Sequence, residues 1–495
     1  MKTSILYAFI LTFLFFSTTA VYAQSGKLHT VNDTADTNDA NAGDGICADA
    51  GGKCTLRAAI QEANTDNIQD VVIFAIPFPA TINLTLGELN IASNIYIAGP
   101  GARNLTVQRS AAAGTADFRV FHVFPNVGTL IVFRALKISN GKVPNGAGGG
   151  IYIEGGSFVG MFDLAVSGNL ANRGGGIASA GSFTLTRSLI NSNTAVTSLD
   201  INGSGGGVFI ENQFTGGDIV NSTLTENSAV AGGAIYNTSR LFLINSTLSH
   251  NSAVQFGCSV VNAGAADSIN VFNTIIGMDN SASVSSLWGA FISLGNNLIT
   301  DARNSTGFTG GANNDQVSNS NAINPLLGNL ANNGGQTDTR ALLDGSPAIN
   351  QGNSCIYTGT CPQPFPNGYR LSNDQRIRNL RQGGAAVDVG AFEYQSLVFN
   401  ANIALAGVGN RTRAGGTLLI LTNAATNEKQ ARITNPFGNF RFNNLTFGEI
   451  YILERKPKRL FEPRGLGIFA FDTLPPIPPT ASLFETADIK IIWDK

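Results

Sequence analysis

Cleaving a sugar chain needs two carboxyl groups held roughly 5 to 10 Å apart, so the acids are the first residues to weigh in this sequence. In its central part they are Glu154, Asp163, Glu211, Asp218 and Glu226, standing at unlike places along the chain. Asp200 with Glu211 is the pair that long connections could assemble. Elimination chemistry would instead need a basic residue beside a bound cation, and Arg173 and Arg187 occur in runs without clustered aspartates. A histidine acting as general base needs an orienting partner. None is evident for His29, His122 or His250; His122 falls in a strand-like alternation and His250 precedes a turn residue. Glycine-rich strings such as GAGGGIY lack the Lys-Ser/Thr of a phosphate loop and recur along the chain. The sequence assigns no catalytic and no cofactor-binding residue.

Metal chemistry has one candidate. Between Asp33 and Asp49 an oxygen-rich run places Asp39, Asn41, Asp44 and Asp49 at a spacing that approaches a calcium loop, although no Glu closes it. The alternative is a loop bent by Asx-turns, in which each side chain accepts from a nearby backbone N–H. Zinc would require four closely held ligands, and the five cysteines do not form two CxxC pairs. Cys47 and Cys54 flank six residues, Cys355 and Cys361 flank five, and Cys258 stands alone. Two local disulfides and one buried thiol are expected if the chain is exported.

What must position these residues is a repeat. GGGIY at Gly148, GGGIA at Gly174, GGGVF at Gly205, GGAIY at Gly232 and FGCSV at Phe256 recur at steps of 26, 31, 27 and 24 residues. Between them a second mark ends in Asn169, Asn193, Asn227 and Asn251. Such a period signifies a solenoid whose units bury their apolar faces by stacking. Each unit holds short runs of β-formers separated by Gly, Asn and Ser, which reads as strands joined by tight bends. The fold class is therefore all-β, a right-handed parallel β-helix. Gly149, Gly175, Gly206 and Gly233 are expected at stacked corners with positive φ, and the four asparagines as a ladder of amide hydrogen bonds. Residues 195–204, which account for the long step, read as an extruded loop, so substitution at Gly206 should cost more than at Gly203. Thr55 is a candidate N-cap for a helix with Leu56, Ala59, Ile60 and Ala63 on one face, placed to cover the first coil.

Composition agrees: 57 Gly, 43% hydrophobic and only 13% charged residues, with a net charge of −2. No basic field exists to hold nucleic acid or an anionic membrane. Lys2, the apolar run Ile5 to Phe16 and Val21-Tyr22-Ala23 read as a signal peptide over 1–23, and no later run is apolar enough to span a bilayer. From Asn400 onward short alternating strands argue for a small β-sandwich. A basic cluster, Arg455, Lys456, Lys458, Arg459 and Arg464, lies within it.

The string GDGICADAGGKCTLRAAIQEAN resembles the CSLREA domain, with Thr55 where the name has Ser and Ala58 where it has Glu. The GGAIY and Asn marks resemble polymorphic outer-membrane protein repeats. Asn324 to Gly352 and Asp374 to Glu393 resemble the choice-of-anchor Q domain, and the segment from Ile433 to Pro463 is similar to the carboxypeptidase regulatory-like domain, a transthyretin-type sandwich. These resemblances imply an exported bacterial surface protein divided into a signal peptide (1–23), an N-terminal segment with a capping helix (24–69), β-helix repeats (70–320), final coils (321–397) and a sandwich with a proline-rich tail (398–495). The expected function is a secreted or cell-surface, non-catalytic shaft with a C-terminal contact module, adhesive or glycan-binding, whose partners are surface polysaccharide or envelope proteins. The alternative is a carbohydrate-active β-helix, a polysaccharide lyase or glycoside hydrolase.

Overall fold

The computed structural model describes residues 26–124, 129–197, 203–211, 216–265, 268–281, 283–377, 381 and 384–394, together with the strands of a second unit beyond 397 and Asn435. The signal-peptide expectation, Asp200 and the proline-rich tail lie outside the described residues. Two compact units divide the chain, residues 1–331 with 335–394, and 332–334 with 395–495.

The first unit is a parallel β-solenoid. One turn shows how it is built: Ile177–Ser179, Ser182–Thr186, Leu189–Asn191 and Thr194–Ala195 follow one another along the chain, and each pairs in parallel with its counterpart a coil away. Stacking generates four walls. Wall 1, containing Ser182–Thr186, and wall 2, containing Leu189–Asn191, have ten strands each; wall 3, containing Thr194–Ala195, has five; wall 4, containing Ile177–Ser179, has nine. Alternation sorts the side chains. In wall 4 Ile151, Ile177, Val208, Ile235, Val260 and Leu287 share one register and form an inward column that is wholly buried.

The glycines work differently from the expectation. Positive φ belongs to the residue before each named one: Gly148 (67°), Gly174 (62°), Gly205 (67°) and Gly232 (67°). At Gly149, Gly175, Gly206 and Gly233 the constraint is close approach, since a Cβ there would stand 2.4, 2.5, 2.4 and 2.2 Å from a carbonyl oxygen of the next coil. Gly203 is no tolerant control, because its Cβ would lie 2.4 Å from the Ala195 carbonyl oxygen. The other corners are turned mostly by non-glycine residues in the left-handed region, Gly168 being an exception. Asp163, Arg187, Asn221, Asn245 and Asn273 stack at one such corner, with φ between 47° and 57°.

The asparagine ladder forms as expected. Nδ2 of Asn169, Asn193 and Asn227 donates to Oδ1 of the asparagine one coil on, at 2.9, 3.0 and 3.1 Å, and each Oδ1 also accepts the preceding backbone N–H. Asp279 ends it, accepting Asn251 N–H at 3.1 Å. A second ladder runs between walls 1 and 2. There the side-chain oxygens of Ser188, Ser222, Ser246, Thr274, Asn297 and Asp315 each accept a backbone N–H from the coil before.

The helix Leu56–Ala63 starts at Thr55, whose Oγ1 accepts Ala58 N–H at 3.1 Å. Its buried Leu56, Ala59, Ile60 and Ala63 join the solenoid core, and Arg57 reaches Asp36 and the carbonyls of Gly87 and Glu88.

Among the described residues of 327–394 no strand joins the four walls. Leu327–Ala331 and Thr339–Leu342 form an antiparallel hairpin, and the chain then runs back over the outside of walls 1 and 2. Gln375 accepts from Thr223 Oγ1 at 2.6 Å and donates to the Ser188 carbonyl. Arg340 donates to Thr225 and Glu226, Asn353 N–H to Asn273, and Arg103 reaches Asp338. Phe365, Tyr369, Leu371 and Val387 pack on Val220, Phe242, Ile244 and Phe272, outward residues of wall 1.

In the second unit Lys429–Ile433, Leu418–Asn423, Ile450–Lys456, Ile489–Asp494 and Phe484–Thr486 form a five-stranded sheet in that order, and Leu397–Asn402 pairs with Asn439–Leu445. Leu419, Leu421, Phe440, Phe442 and Leu453 are buried. The side chain of Tyr451 and those of the basic cluster lie outside the described residues.

Candidate functional site

Apart from Asp200, each acid singled out in the sequence has a definite place. Asp163 Oδ1 and Oδ2 accept from Arg187 at 2.9 and 3.1 Å. Glu226 is paired with Arg340 at 2.6 Å, and Glu211 lies 3.8 Å from Arg173. Asp218 projects from wall 1 beneath the returning segment, where burial pushes its carboxyl up to about 6 against the opposing effect of Arg240. Asp163, Glu226 and Asp218 share no place in the coils, whereas Glu211 follows its wall 4 strand as Glu154 follows the one two coils before, so these two acids stand at like places, contrary to the expectation.

The calcium candidates are bound to their own loop. Asp39 accepts Asn41 N–H and Ala48 N–H, Asp44 accepts Ile46 N–H, and Asp49 accepts Gly51 and Lys53 N–H and the Thr37 hydroxyl. Asn41 Nδ2 donates to Asp44 at 3.2 Å. The backbone hydrogen bonds lower the Asp49 carboxyl below its ordinary value. This is the Asx-turn arrangement, and no group of three or more potential ligands gathers for a metal among the described residues. Buried Glu62 completes the loop from the helix by accepting Gly43 and Gly45 N–H. Both disulfides are present, Cys47–Cys54 and Cys355–Cys361, and Cys258 is a buried free thiol, pushed up to about 11 by burial.

The arrangement that sequence reasoning missed is the outward column of wall 4. Register places Asn90, His122, Tyr152, Ala178, Phe209, Tyr236, Val261 and Trp288 one above another, all but Trp288 the middle of a three-residue strand whose flanking residues are buried. Its N-terminal half is ionic. His122 Nδ1 meets Glu88 Oε1 at 3.0 Å and Nε2 meets Glu154 Oε1 at 2.8 Å. Burial alone would raise the Glu88 carboxyl, but the His122 hydrogen bond and the Arg119 charge outweigh it and hold it below the usual range. The orienting partners that the sequence did not disclose for His122 therefore come from neighbouring coils. Arg119 and Arg173 lie over the rings of Tyr152 and Phe209, 5.0 and 5.3 Å from their centroids.

The C-terminal half of the column is aromatic and uncharged. Phe209 and Tyr236 stack at 5.5 Å with 15° between ring planes, and Phe256 from wall 3 tilts against Trp288 at 5.5 Å. Between them lies a cleft of about 430 Å³ whose lining includes Tyr236, Phe256, Val261, Trp288, Gln255 and Asn262, with no charged side chain. Phe256 is 45% and Trp288 37% exposed, high values for residues of this size. The signal was present in the sequence as the last residue of the GGGIY, GGGIA, GGGVF and GGAIY strings, a position read there only as part of a strand.

No family model matches this sequence, and no curated protein matches it. Among solved structures, the crystal structure of pectate lyase Pel9A is similar over 75% of this chain and 97% of its own, at 14% sequence identity and a TM-score of 0.33.

Proposed function

We propose that this chain is an exported surface or matrix protein whose solenoid is a stiff shaft that holds a glycan on wall 4 without cleaving it. The observation that carries the reading is the outward column of that wall. Its rings stand in register, with His122, Tyr152, Tyr236 and Trp288 partly exposed and Phe209 buried, while residues 327–394 lie over walls 1 and 2. Aromatic rings with a polar edge suit sugars, which present both C–H faces and hydroxyls. In this reading the β-helix is right-handed, the helix Leu56–Ala63 caps its first coil, and the second unit is a transthyretin-like sandwich serving as a contact module. The strings similar to CSLREA and choice-of-anchor Q domains, and the two disulfides, are what support export to the cell surface.

A second reading has one observation in its favour. Glu88 and Glu154 meet the same imidazole on the open wall, which sets two carboxyl groups beside one another as a polysaccharide-cleaving site would need. Yet a glycosidase acid needs a raised carboxyl, and Glu88 is lowered. Incubating the purified protein with a polysaccharide panel separates the two, reading retention on the polymer and release of cleavage products. Retention without products is expected. Products that disappear in Glu154→Gln would replace the binding reading with the enzymatic one.

A further inference from the structure

We infer that the wall 4 cleft takes an uncharged, extended polysaccharide lying along the solenoid axis, with alternate sugar rings on Tyr236 and Trp288. This rests on the glycan-binding reading and narrows it to a chemical class and to two residues.

Spacing is the first argument. Tyr236 pairs with Val261 and Val261 with Trp288, so the two rings project in the same direction two coils apart. At roughly 4.8 Å per coil they are about 10 Å apart, close to the length of two pyranose units in an extended chain. Val261 between them is buried at the floor of the cleft. Phe256 closes one side from wall 3, where Gln255 stands exposed with an amide that can both donate to and accept from hydroxyls.

Charge is the second argument. An acidic sugar would bring carboxylates into a cleft lined by no cation, and a charge desolvated without a partner is costly. The arginines over the rings of Tyr152 and Phe209 are already engaged, Arg119 with Glu88 at 3.5 Å and Arg173 with Glu211 at 3.8 Å. Nor does the lining hold a carboxylate that could act as acid or base, so this cleft binds and does not cut.

Calorimetric titration of the whole protein with the hexasaccharides of cellulose, mannan and xylan, and with hexagalacturonate, tests the assignment. At least one neutral hexasaccharide should bind with an affinity insensitive to salt. Tyr236→Ala and Trp288→Ala should each weaken it about tenfold or more, and Trp288→Phe should retain most of it. Because the chain has two tryptophans, Trp288 and Trp493, the Trp493→Phe protein gives a second readout that leaves the cleft intact. Its emission should shift when the bound sugar is added and stay unchanged with hexagalacturonate. Salt-sensitive binding of hexagalacturonate, lost in Arg173→Gln, would overturn this inference and leave glycan binding standing. Neutral sugar bound equally well by both alanine variants, without change in Trp288 emission, would overturn the site. Binding of none of the sugars would remove the inference and the broader reading together.

Discussion

Single positions in this solenoid are judged by what the next coil places against them. Gly206→Ala should cost several kcal/mol, because its Cβ would meet carbonyl oxygens of Gly233 and Ser228, each at 2.4 Å. Gly155, whose nearest neighbour would be 3.6 Å away, should accept alanine with almost no change in melting temperature. Equal melting temperatures for the two would refute the close-approach argument. Titration offers a second check, at Asp218. Its carboxyl rises to about 6 in the fold from an ordinary 3.8, so the fold holds this proton more tightly than the unfolded chain does. The associated stability is full below about pH 4 and is lost as pH rises through about 6, a loss of about 3 kcal/mol. The groups facing Asp218 are Arg240, which opposes the rise, and the buried Tyr369. Melting temperature should fall between pH 4 and 7, less so in Asp218→Asn; an unaltered pH profile in that variant would dismiss the effect. The four ladder asparagines were legible because they recur at the repeat period. Asp218 was not, since what buries it is contributed by residues 365–371, far along the chain.

Among elements, local spacing predicted those that depend only on their own residues. The helix after Thr55, both short disulfides and the walls of the solenoid are of this kind. Thiol labelling of the oxidised, unfolded protein should therefore find a single reactive cysteine, Cys258, and labelling of the folded protein none; three free thiols would contradict the pairing. Elements defined by distant partners were not legible. The hairpin of Leu327–Ala331 and Thr339–Leu342 was expected as coil because Asn324 to Gly352 resembles the choice-of-anchor Q domain, whereas it is antiparallel and held to wall 2 by Arg340 meeting Thr225 and Glu226. The serine and threonine ladder was missed for a different reason. Asn-Ser-Thr strings at Asn221, Asn245 and Asn273-Thr274 repeat plainly, but their hydroxyls read as turn residues until the stacking shows each accepting from the coil before.

At the scale of the molecule, the period announced the solenoid, yet periodicity alone does not say which wall stays open. That depends on where residues 327–394 return, and hence on contacts separated by more than a hundred residues, such as Gln375 with Ser188 and Arg381 with Asn221. The same returning segment has a mechanical consequence. It is a tension member running beside the stack, tied near one end where Arg103 meets Asp338 and near the other where Gln316 meets the Pro347 carbonyl. An unbraced stack pulled from its last coil would unwind one turn after another, giving a train of small, similar force drops. Here the tie must yield before the turns behind it can separate. Single-molecule stretching of the intact protein should record one large rupture followed by smaller, evenly spaced ones, and Gln375→Ala with Arg340→Ala should lower the first without altering the rest. A record of equal drops from the outset would show that the tie carries no tension.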